Sequence, residues 1–329
     1  MSKKLYSTNE WKRRSKRRQE DELKKLRRHK SAKRTLRRER ARKRNKEKRP
    51  FFTVQAPNVF SLLRDPESVI SFLRKIKSLS GRYHLSFDFK GITLMTNDAV
   101  AAFIATIRGM PDTKVRGNLP ADPAVAELLT QSGFFDHVHS KKSLPSVTKG
   151  RIVQKESTKV EPKFAQDLIH KGTEAIFGTS KHQQASYRVL IESMTNTHNH
   201  AGDVPDDNQT WWATVYADLQ SKRVCYTILD MGVGIFRSLK VRGLRKLYRA
   251  LGIANNADII KDILEGRVES STGIKYRGKG LPAIYRDAQN KKILSLVIIT
   301  NNVYANVENG EFRLLPVPFS GTLLYWENE

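Results

Sequence analysis

The sequence has almost no cysteine and no long apolar run. Cys225 is the single cysteine among 329 residues, so no disulfide can form within the chain and the composition suits a reducing compartment. No stretch approaches the roughly 20 apolar residues of a membrane span, and the N-terminus lacks the apolar core of a secretion signal. We therefore expect a cytoplasmic protein with no membrane contact. Cys225 lies in an apolar strand pattern, which predicts a buried, unreactive thiol.

The first fifty residues lack the means to form a core. From Asn9 to Arg49 there is no proline or glycine, and the few apolar residues are too sparse to cover one helix face. Residues 1–50 carry 24 Lys and Arg against 6 Asp and Glu, which supplies +18 of the formal net charge of +27. This pattern predicts a basic arm, either a solvated helix or a chain that orders on a polyanion.

The composition of the arm favours nucleic acid as its partner. Arginine outnumbers lysine, which suits bidentate contacts to phosphate, and aromatic residues for base stacking are almost absent. We predict mainly electrostatic binding of RNA or DNA through residues 1–50, with a localisation signal or an acidic protein partner as alternatives. The predicted contact residues are Arg13, Arg14, Arg17, Arg18, Arg37, Arg38 and Arg40.

Residues 51–143 alternate between strand and helix patterns. An extended entry precedes a helix from Asp65-Pro66 to Ile76, a strand from Tyr83 to Phe89 and a helix from Asn97 to Arg108. A short strand at 115–119 and a helix from Pro123 to Ser132 follow. This order predicts a small α/β domain, and the polar, patternless residues 144–164 are predicted to be a linker.

The run Pro123-Ala-Val-Ala-Glu-Leu-Leu-Thr-Gln-Ser-Gly-Phe134, together with the element order, resembles the STAS domain of sulphate transporters and anti-sigma antagonists. Antagonists of that family accept phosphate on a Ser or Thr at the start of the second helix, where this chain has Thr96. Asn97 and Asp98 depart from the family pattern, and a neighbouring carboxylate would repel phosphate. The resemblance therefore implies either a docking domain or a phosphoacceptor.

A helix predicted over 183–199 carries three polar residues at a spacing of four. Glu192, Asn196 and His200 form a polar edge beside an apolar stripe that includes Leu190 and Met194. A carboxylate one turn from an amide can activate water while the amide oxygen holds a hard cation such as Mg²⁺. The pattern also fits an ordinary amphipathic helix whose polar edge is exposed to solvent.

Three glycine-containing motifs follow this helix. They are Asp230-Met-Gly232-Val-Gly234 after an apolar strand pattern, Arg277-Gly278-Lys279-Gly280 before a helix pattern, and Ser320-Gly321-Thr322 near the C-terminus. With the Glu192 helix, and in this order, they resemble the four nucleotide-binding boxes of the histidine-kinase-like ATPase superfamily, which includes gyrase, the heat-shock chaperones, MutL and the anti-sigma serine kinases. The resemblance covers residues 165–329.

The resemblance implies a role for each motif residue. Glu192 would be the general base, Asn196 would hold Mg²⁺, and Asp230 would accept a hydrogen bond from the adenine amino group of ATP. Thr322 would support Asp230. Gly232 and Gly234 would let the backbone approach the base, and Gly278 and Gly280 would free amides for the phosphates. The segment 236–276 would form a lid whose end could close on the γ-phosphate through Ser270, Ser271, Thr272, Lys275 and the adjoining Arg277. Lys279 of the following glycine motif would also bind the nucleotide.

The fold implied for 165–329 is a Bergerat-type α/β sandwich, with helices on one face of a mixed, mostly antiparallel sheet. The whole chain is thus expected to be α/β (α+β). The run Gly273 to Gly280 also approaches a P-loop, but it has Gly where Mg²⁺ binding needs Ser or Thr and lacks a preceding strand. His198 and His200 do not complete a metal-ligand set.

The function predicted from the sequence is an ATP-binding switch or slow ATPase that controls how the STAS-like domain and the arm engage a nucleic-acid-containing partner. Two alternatives remain open. One is an anti-sigma-type serine/threonine kinase acting on a STAS partner or on its own Thr96, and the other is a nucleotide-binding scaffold without turnover. A regulatory protein partner and oligomerisation are both compatible with the sequence.

Overall fold

The computed structural model describes residues 13, 16–17, 24–25, 48–135, 152–155, 159–200, 210–238, 255–267 and 280–329; residues 152–155, 199–200 and 237–238 are described by their backbone only. The chain divides into two compact units, residues 1–51 and 52–329. In the first unit, the described arm residues Arg13, Lys16, Arg17, Lys24 and Lys25 are helical and exposed. The second unit has the mixed α/β class expected from the sequence.

The small module, residues 52–135, contains short strands and three helices whose bounds are described. Strands β1 (Phe51–Gln55), β3 (His84–Asp88) and β5 (Val115–Gly117) form a sheet in the order β1-β3-β5, and β3 and β5 are parallel. Strands β2 (Val59–Phe60) and β4 (Leu94–Met95) form a second parallel pair. Strands β1, β2, β3 and β5 lie in the predicted extended segments, whereas β4 was not predicted.

Helices α1 (Pro66–Leu79) and α3 (Pro123–Gln131) begin directly after a capping aspartate, whereas α2 (Asn97–Arg108) begins after Thr96 without a side-chain capping hydrogen bond. The carboxylate of Asp65 accepts a hydrogen bond from Ser68 N, and that of Asp122 accepts from Ala124 N and Val125 N. Both helices also carry proline in the first turn, where a missing N–H costs nothing. Local capping chemistry therefore sets these helix starts, which the sequence predicted within a residue.

The other helices with described bounds lie within residues 159–289. They are α4 (Pro162–Phe177), α5 (Gln184–His200), α6 (Ile235–Ser238), α7 (Asn256–Leu264) and α8 (Gly280–Gln289). Helix α4 approaches the sheet closely at Gly172, where a β-carbon would overlap the side chains of Val215 and Val224. Glycine in this helix interior is thus a packing requirement. Helix α5 and helix α8 match the predicted helices that carry the motif residues.

A five-stranded sheet forms the centre of the second unit, in the order β6-β7-β8-β10-β9. Its strands are β6 (Ile152–Lys155), β7 (Trp211–Asp218), β8 (Arg223–Asp230), β9 (Leu294–Asn306) and β10 (Glu311–Asn328). All pairings among these described strands are antiparallel, so the mixed sheet expected from the resemblance is not what the structure has. Short turns join β7 to β8 and β9 to β10, and such connections produce antiparallel pairs. Strand β6 lies inside the segment predicted to be a linker.

Helices cover both faces of this sheet, whereas the expectation was one face. Trp211 and Trp212 are both buried, but they belong to opposite cores because neighbouring strand residues point to opposite faces. Trp211 packs with α4, α5, α7 and α8, and Trp212 packs with the apolar residues of the small module. Both faces of the sheet are apolar, and the small module buries the face that carries Trp212.

Polar contacts reinforce the junction between the small module and the sheet. The Tyr304 hydroxyl donates to the Leu63 carbonyl oxygen at 3.2 Å, and Arg313 Nη1 lies 2.8 Å from a carboxylate oxygen of Glu67. The Arg313 guanidinium also lies 4.8 Å from the centroid of the Tyr304 ring. Residues 52–329 therefore pack as one body in which the module is attached to strands β9 and β10.

Candidate functional site

Four polar or aromatic residues lie side by side across four strands. In the strand register Trp211 is opposite Asp230, Asp230 is opposite Thr322, and Thr322 is opposite Thr300. Residues opposite each other in a sheet project to the same face, and Trp211 places this row on the face that carries α4 and α5. The register therefore brings Asp230 and Thr322 together, an arrangement that the resemblance implied.

The Asp230 carboxylate is held by backbone donors. Gly232 N donates to Asp230 Oδ1 at 2.7 Å. Burial raises the pKa of Asp230 to about 6, although the hydrogen bonds from Gly232 and Thr322 act in the opposite direction. A β-carbon at Gly232 would lie 2.8 Å from Asp230 Oδ1. Glycine at 232 thus allows the loop to bend back onto the carboxylate.

Gly321 packs its backbone directly against that of Asp230. It has φ +108°, and a β-carbon there would overlap the Asp230 carbonyl group and Met231 Cα. Because the obstacle is backbone, no side-chain rotation can relieve it. The glycine of the Ser320-Gly321-Thr322 motif is therefore needed for β10 to approach β8 at the site.

We expect Gly321→Ala to unfold much more easily than Gly310→Ala. Gly310 also has positive φ (+71°), but a β-carbon there would meet nothing within 4 Å. Gly310→Ala should cost only backbone strain, roughly 1–2 kcal/mol, while Gly321→Ala adds a backbone clash and should cost at least about 3 kcal/mol. Urea denaturation of both variants measures this difference. Equal midpoints would show that β10 can shift away from Asp230 freely.

Two residues absent from the sequence prediction organise the loop after Asp230. Thr300 Oγ1 accepts from Ile235 N at 3.0 Å and lies 3.3 Å from Thr322 Oγ1. Asn301 Oδ1 accepts from Phe236 N at 3.2 Å, and Asn301 Nδ2 donates to the Val233 carbonyl oxygen at 2.9 Å. The available signal was the polar run Thr300-Asn301-Asn302 inside an otherwise apolar strand.

Glu192 and Gly280 meet where helix α5 contacts helix α8. A β-carbon at Gly280 would overlap Glu192 Oε2, so the carboxylate lies directly on the first residue of α8. Arg188 Nη1 and Asp287 Oδ2, 2.5 Å apart, tie the same two helices together one turn along α5. Burial raises the pKa of Glu192, and the charge of Arg188 opposes this. A raised carboxyl pKa brings a general base closer to neutral pH.

Asn196 lies one turn after Glu192 on α5 and is exposed. Within the described residues, no three His, Cys, Asp or Glu side chains gather as they would around a metal ion. Mg²⁺ commonly binds through one or two protein groups and takes its other ligands from phosphates and water. An accessible amide oxygen beside a partly buried carboxylate fits that mode, so Asn196 is suited to hold Mg²⁺ together with a bound phosphate.

The remaining predicted residues are less informative. Arg13 and Arg17 are exposed. Several predicted ligands lie outside the described residues, namely Lys275, Arg277, Gly278 and Lys279, and so do Arg14, Arg18, Arg37, Arg38 and Arg40. Cys225 is only partly buried, but burial raises its pKa to about 11. The full burial expected for this thiol is therefore not what the structure has, although a raised pKa keeps a thiol protonated at neutral pH.

Thr96 occupies the N-cap position of α2, and its buried hydroxyl oxygen makes no capping hydrogen bond. Asp98, two residues later, is buried and accepts a hydrogen bond from Leu62 N at 2.8 Å. Burial raises the pKa of Asp98, and its hydrogen bonds, including one with the Thr96 side chain, act in the opposite direction. A phosphate on Thr96 would enter a closed site beside a carboxyl group.

Comparison with known proteins identifies no family for this chain. No protein-family model, curated protein sequence or solved structure matches it. None of the helices in the described part of the chain has the length and apolar content required to cross a bilayer.

Proposed function

We propose that the chain is an ATP-binding switch or slow, Mg²⁺-dependent ATPase with a Bergerat-type sandwich over residues 165–329. The observation that carries the proposal is that the described motif residues form two clusters. Asp230 and Thr322 meet across paired strands beside a glycine loop, and Glu192 meets Gly280 across paired helices. These residues are far apart in sequence, so their pairing supports the order of motifs from which the function was inferred.

The Asp230 cluster suits recognition of adenine. A carboxylate accepts hydrogen bonds, so it favours the amino group of adenine over the carbonyl group that guanine presents at the same position. Gly232 N already donates to Asp230 Oδ1, and hydrogen bonds from Thr322 also help to fix the carboxylate. Because a carboxylate has about four acceptor sites, one remains for the amino group of adenine. A group fixed in place before the ligand arrives binds at a lower entropic cost.

The Glu192 cluster suits chemistry at a phosphate. The partly buried carboxylate has a raised pKa and lies on the N-terminal residue of a ten-residue helix. Backbone N–H groups at a helix start attract phosphate oxygens. Glu192 would then take a proton from the attacking water while Asn196 holds Mg²⁺, whose role is to neutralise charge on the phosphates.

The small module gives the nucleotide state a route to a partner. It covers the opposite face of the sheet that carries Asp230 and Thr322, and Tyr304 on β9 contacts Leu63 of the module. A shift of these strands on nucleotide binding at one face would therefore change how the small module packs against the other face. The arm, with +18 of the charge, would supply the contact to RNA or DNA.

The kinase alternative is less well supported for Thr96 itself. Its hydroxyl oxygen is buried and Asp98 is close by, so phosphorylation would require the start of α2 to open. Incubation of the full chain with γ-labelled ATP and Mg²⁺ separates the possibilities. Free labelled phosphate supports the ATPase, stoichiometric label on Thr96 would replace it by the kinase, and absence of any ATP binding would overturn the proposed function.

We expect ATP affinity to fall as the pH is lowered through about 6, the pKa of Asp230. The protonated carboxyl loses part of its capacity to accept from adenine, so affinity should drop by about tenfold between pH 7 and pH 5. The folding stability of the ligand-free protein should change with pH in the opposite direction. A carboxyl whose pKa is raised in the folded state stabilises the fold most at low pH, and this contribution is lost as the pH rises through about 6. Calorimetric titration at each pH measures the affinity.

Inorganic tripolyphosphate is the control for this experiment, since it shares the titrating phosphates of ATP and lacks the base. The affinity for tripolyphosphate should not show the fall that protonation of Asp230 causes in the affinity for ATP. If ATP and tripolyphosphate weaken in parallel, the effect belongs to the phosphates and Asp230 does not contact the base.

A further inference from the structure

Strand β9 changes the face to which its side chains point at Asn301. Before this residue, Leu296 and Ile298 lie in the core beneath α5 and α7, and after it, Val303 and Ala305 do. The parity of the inward positions therefore changes from even to odd. Asn301 has φ +50°, and the register of β9 with β10 shifts between Asn301 and Thr300. This is a β-bulge, a device that commonly redirects side chains beside functional sites.

The bulge lets two consecutive residues reach the same loop. Thr300 holds Ile235 N, and Asn301 holds both Phe236 N and the Val233 carbonyl oxygen. The amide of Asn301 thus donates on one side of Gly234 and accepts on the other. No carboxylate or hydroxyl of similar size supplies both a fixed donor and a fixed acceptor in this way.

Gly234 is shaped to receive the Asn301 side chain. Gly234 has φ +77°, and a β-carbon there would lie 2.5 Å from Asn301 Oδ1 and 2.8 Å from Asn301 Nδ2. The second glycine of the Asp230 motif therefore makes room for this amide as well as for the turn. The loop from Gly232 to Phe236 and the Asn301 amide are mutually dependent parts of one structure.

We infer that Asn301 is a positioning residue for the base-binding end of the site. By fixing Val233 and Phe236 it fixes the loop that carries Gly232, whose N–H holds Asp230 Oδ1. The inference rests on the proposed function. Asn301 then strengthens the binding of ligands that contain adenine and has no part in holding phosphate.

The test compares Asn301→Gly with Asn302→Gly in the full chain. Glycine at 301 tolerates the positive φ, so it removes only the amide contacts. Asn302 is the adjacent strand residue and accepts from Asn256 Nδ2 on α7 at 2.5 Å. Its replacement by glycine weakens the strand and breaks a contact away from the loop. ATP and inorganic tripolyphosphate are titrated by calorimetry, and hydrogen exchange is measured on the peptide that contains 233–236.

For Asn301→Gly we expect ATP to bind roughly ten- to thirtyfold more weakly, the effect of losing two ordinary hydrogen bonds, with tripolyphosphate changed by less than about threefold. Exchange of the loop amides should become at least about tenfold faster. Asn302→Gly should leave the ATP affinity, the tripolyphosphate affinity and the exchange rate of the loop close to the values of the parent. Unchanged ATP affinity in Asn301→Gly, or equal weakening in Asn302→Gly, overturns the inference.

Failure of the proposed function gives a different result. A parent protein that binds neither ATP nor tripolyphosphate refutes ATP binding, and with it the role of Asn301 toward adenine. Hydrogen exchange of the amides in 233–236 would still test whether Asn301 holds this loop, because that measurement needs no ligand. Faster exchange in Asn301→Gly alone would support this role of Asn301, and equal exchange in all three proteins would overturn it.

Discussion

Glu192→Gln should still bind ATP and should hydrolyse it roughly 10²–10⁴ times more slowly than the parent. Glutamine keeps the shape of the side chain that contacts Gly280 but cannot take up a proton. The reason to expect a base here is physical: burial raises the pKa of the carboxyl toward neutrality, and its oxygen lies at the first residue of α8. Calorimetry gives the binding constant, and release of phosphate gives the rate.

Glu174→Gln is the matched control for this prediction. Glu174 is an exposed glutamate on α4, so the substitution changes charge by the same amount away from both clusters. The control should hydrolyse ATP at the parent rate. If Glu192→Gln also does so, then Glu192 is only the polar edge of an amphipathic helix, and the catalytic part of the proposal is wrong.

Local chemistry made the helices and most strands predictable from the sequence. Asp65 and Asp122 cap helices that begin with proline, and the helix that carries Glu192 follows its apolar stripe. The close contact of Asp230 with Thr322 was likewise implied by the motif order, and the strand register supplies it. These features depend on neighbours in sequence or on a resemblance, and both can be read from one chain.

Features that depend on pairing between distant segments were not predictable in the same way. By residue pattern, the β-rich runs 293–300, 311–315 and 322–326 are three separate strands, but β9 continues past the bulge at Asn301, and β10 runs without interruption from Glu311 to Asn328. Pro316 and Pro318 separate the last two runs. They lie where the register shifts between Leu314 and Phe319, and a bulged stretch tolerates residues without an N–H.

The position of the small module has the same cause. Both faces of the large sheet are apolar, which the alternation of Trp211 and Trp212 in opposite cores illustrates. A strand pattern with apolar residues on both sides requires two covering layers, but it does not name them. The second layer turned out to be the domain expected to stand apart, and this makes it part of the same folded unit as Asp230 and Glu192.

Removal of residues 1–49 should abolish binding to RNA and DNA and leave ATP affinity nearly unchanged. The arm holds two-thirds of the net charge and forms a compact unit separate from residues 52–329. Binding by the parent should weaken steeply as salt rises, because each neutralised phosphate adds about 0.7–0.9 to the slope of log affinity against log salt. Fluorescence anisotropy with labelled single- and double-stranded probes over a salt series measures that slope.

Substitution within the arm tests whether the contact is electrostatic. Replacing Arg37, Arg38 and Arg40 by Gln should lower the slope by up to about three of these increments and leave preference among sequences unchanged, since phosphate contacts carry no sequence information. Replacing the exposed residues Lys75, Lys77 and Arg82 of the small module by Gln removes the same charge and should leave the slope as in the parent. If both triple variants flatten the slope equally, binding follows the overall charge of the protein, and the arm has no special role. If the parent shows no salt-dependent binding at all, the arm serves an acidic protein partner or a localisation signal instead.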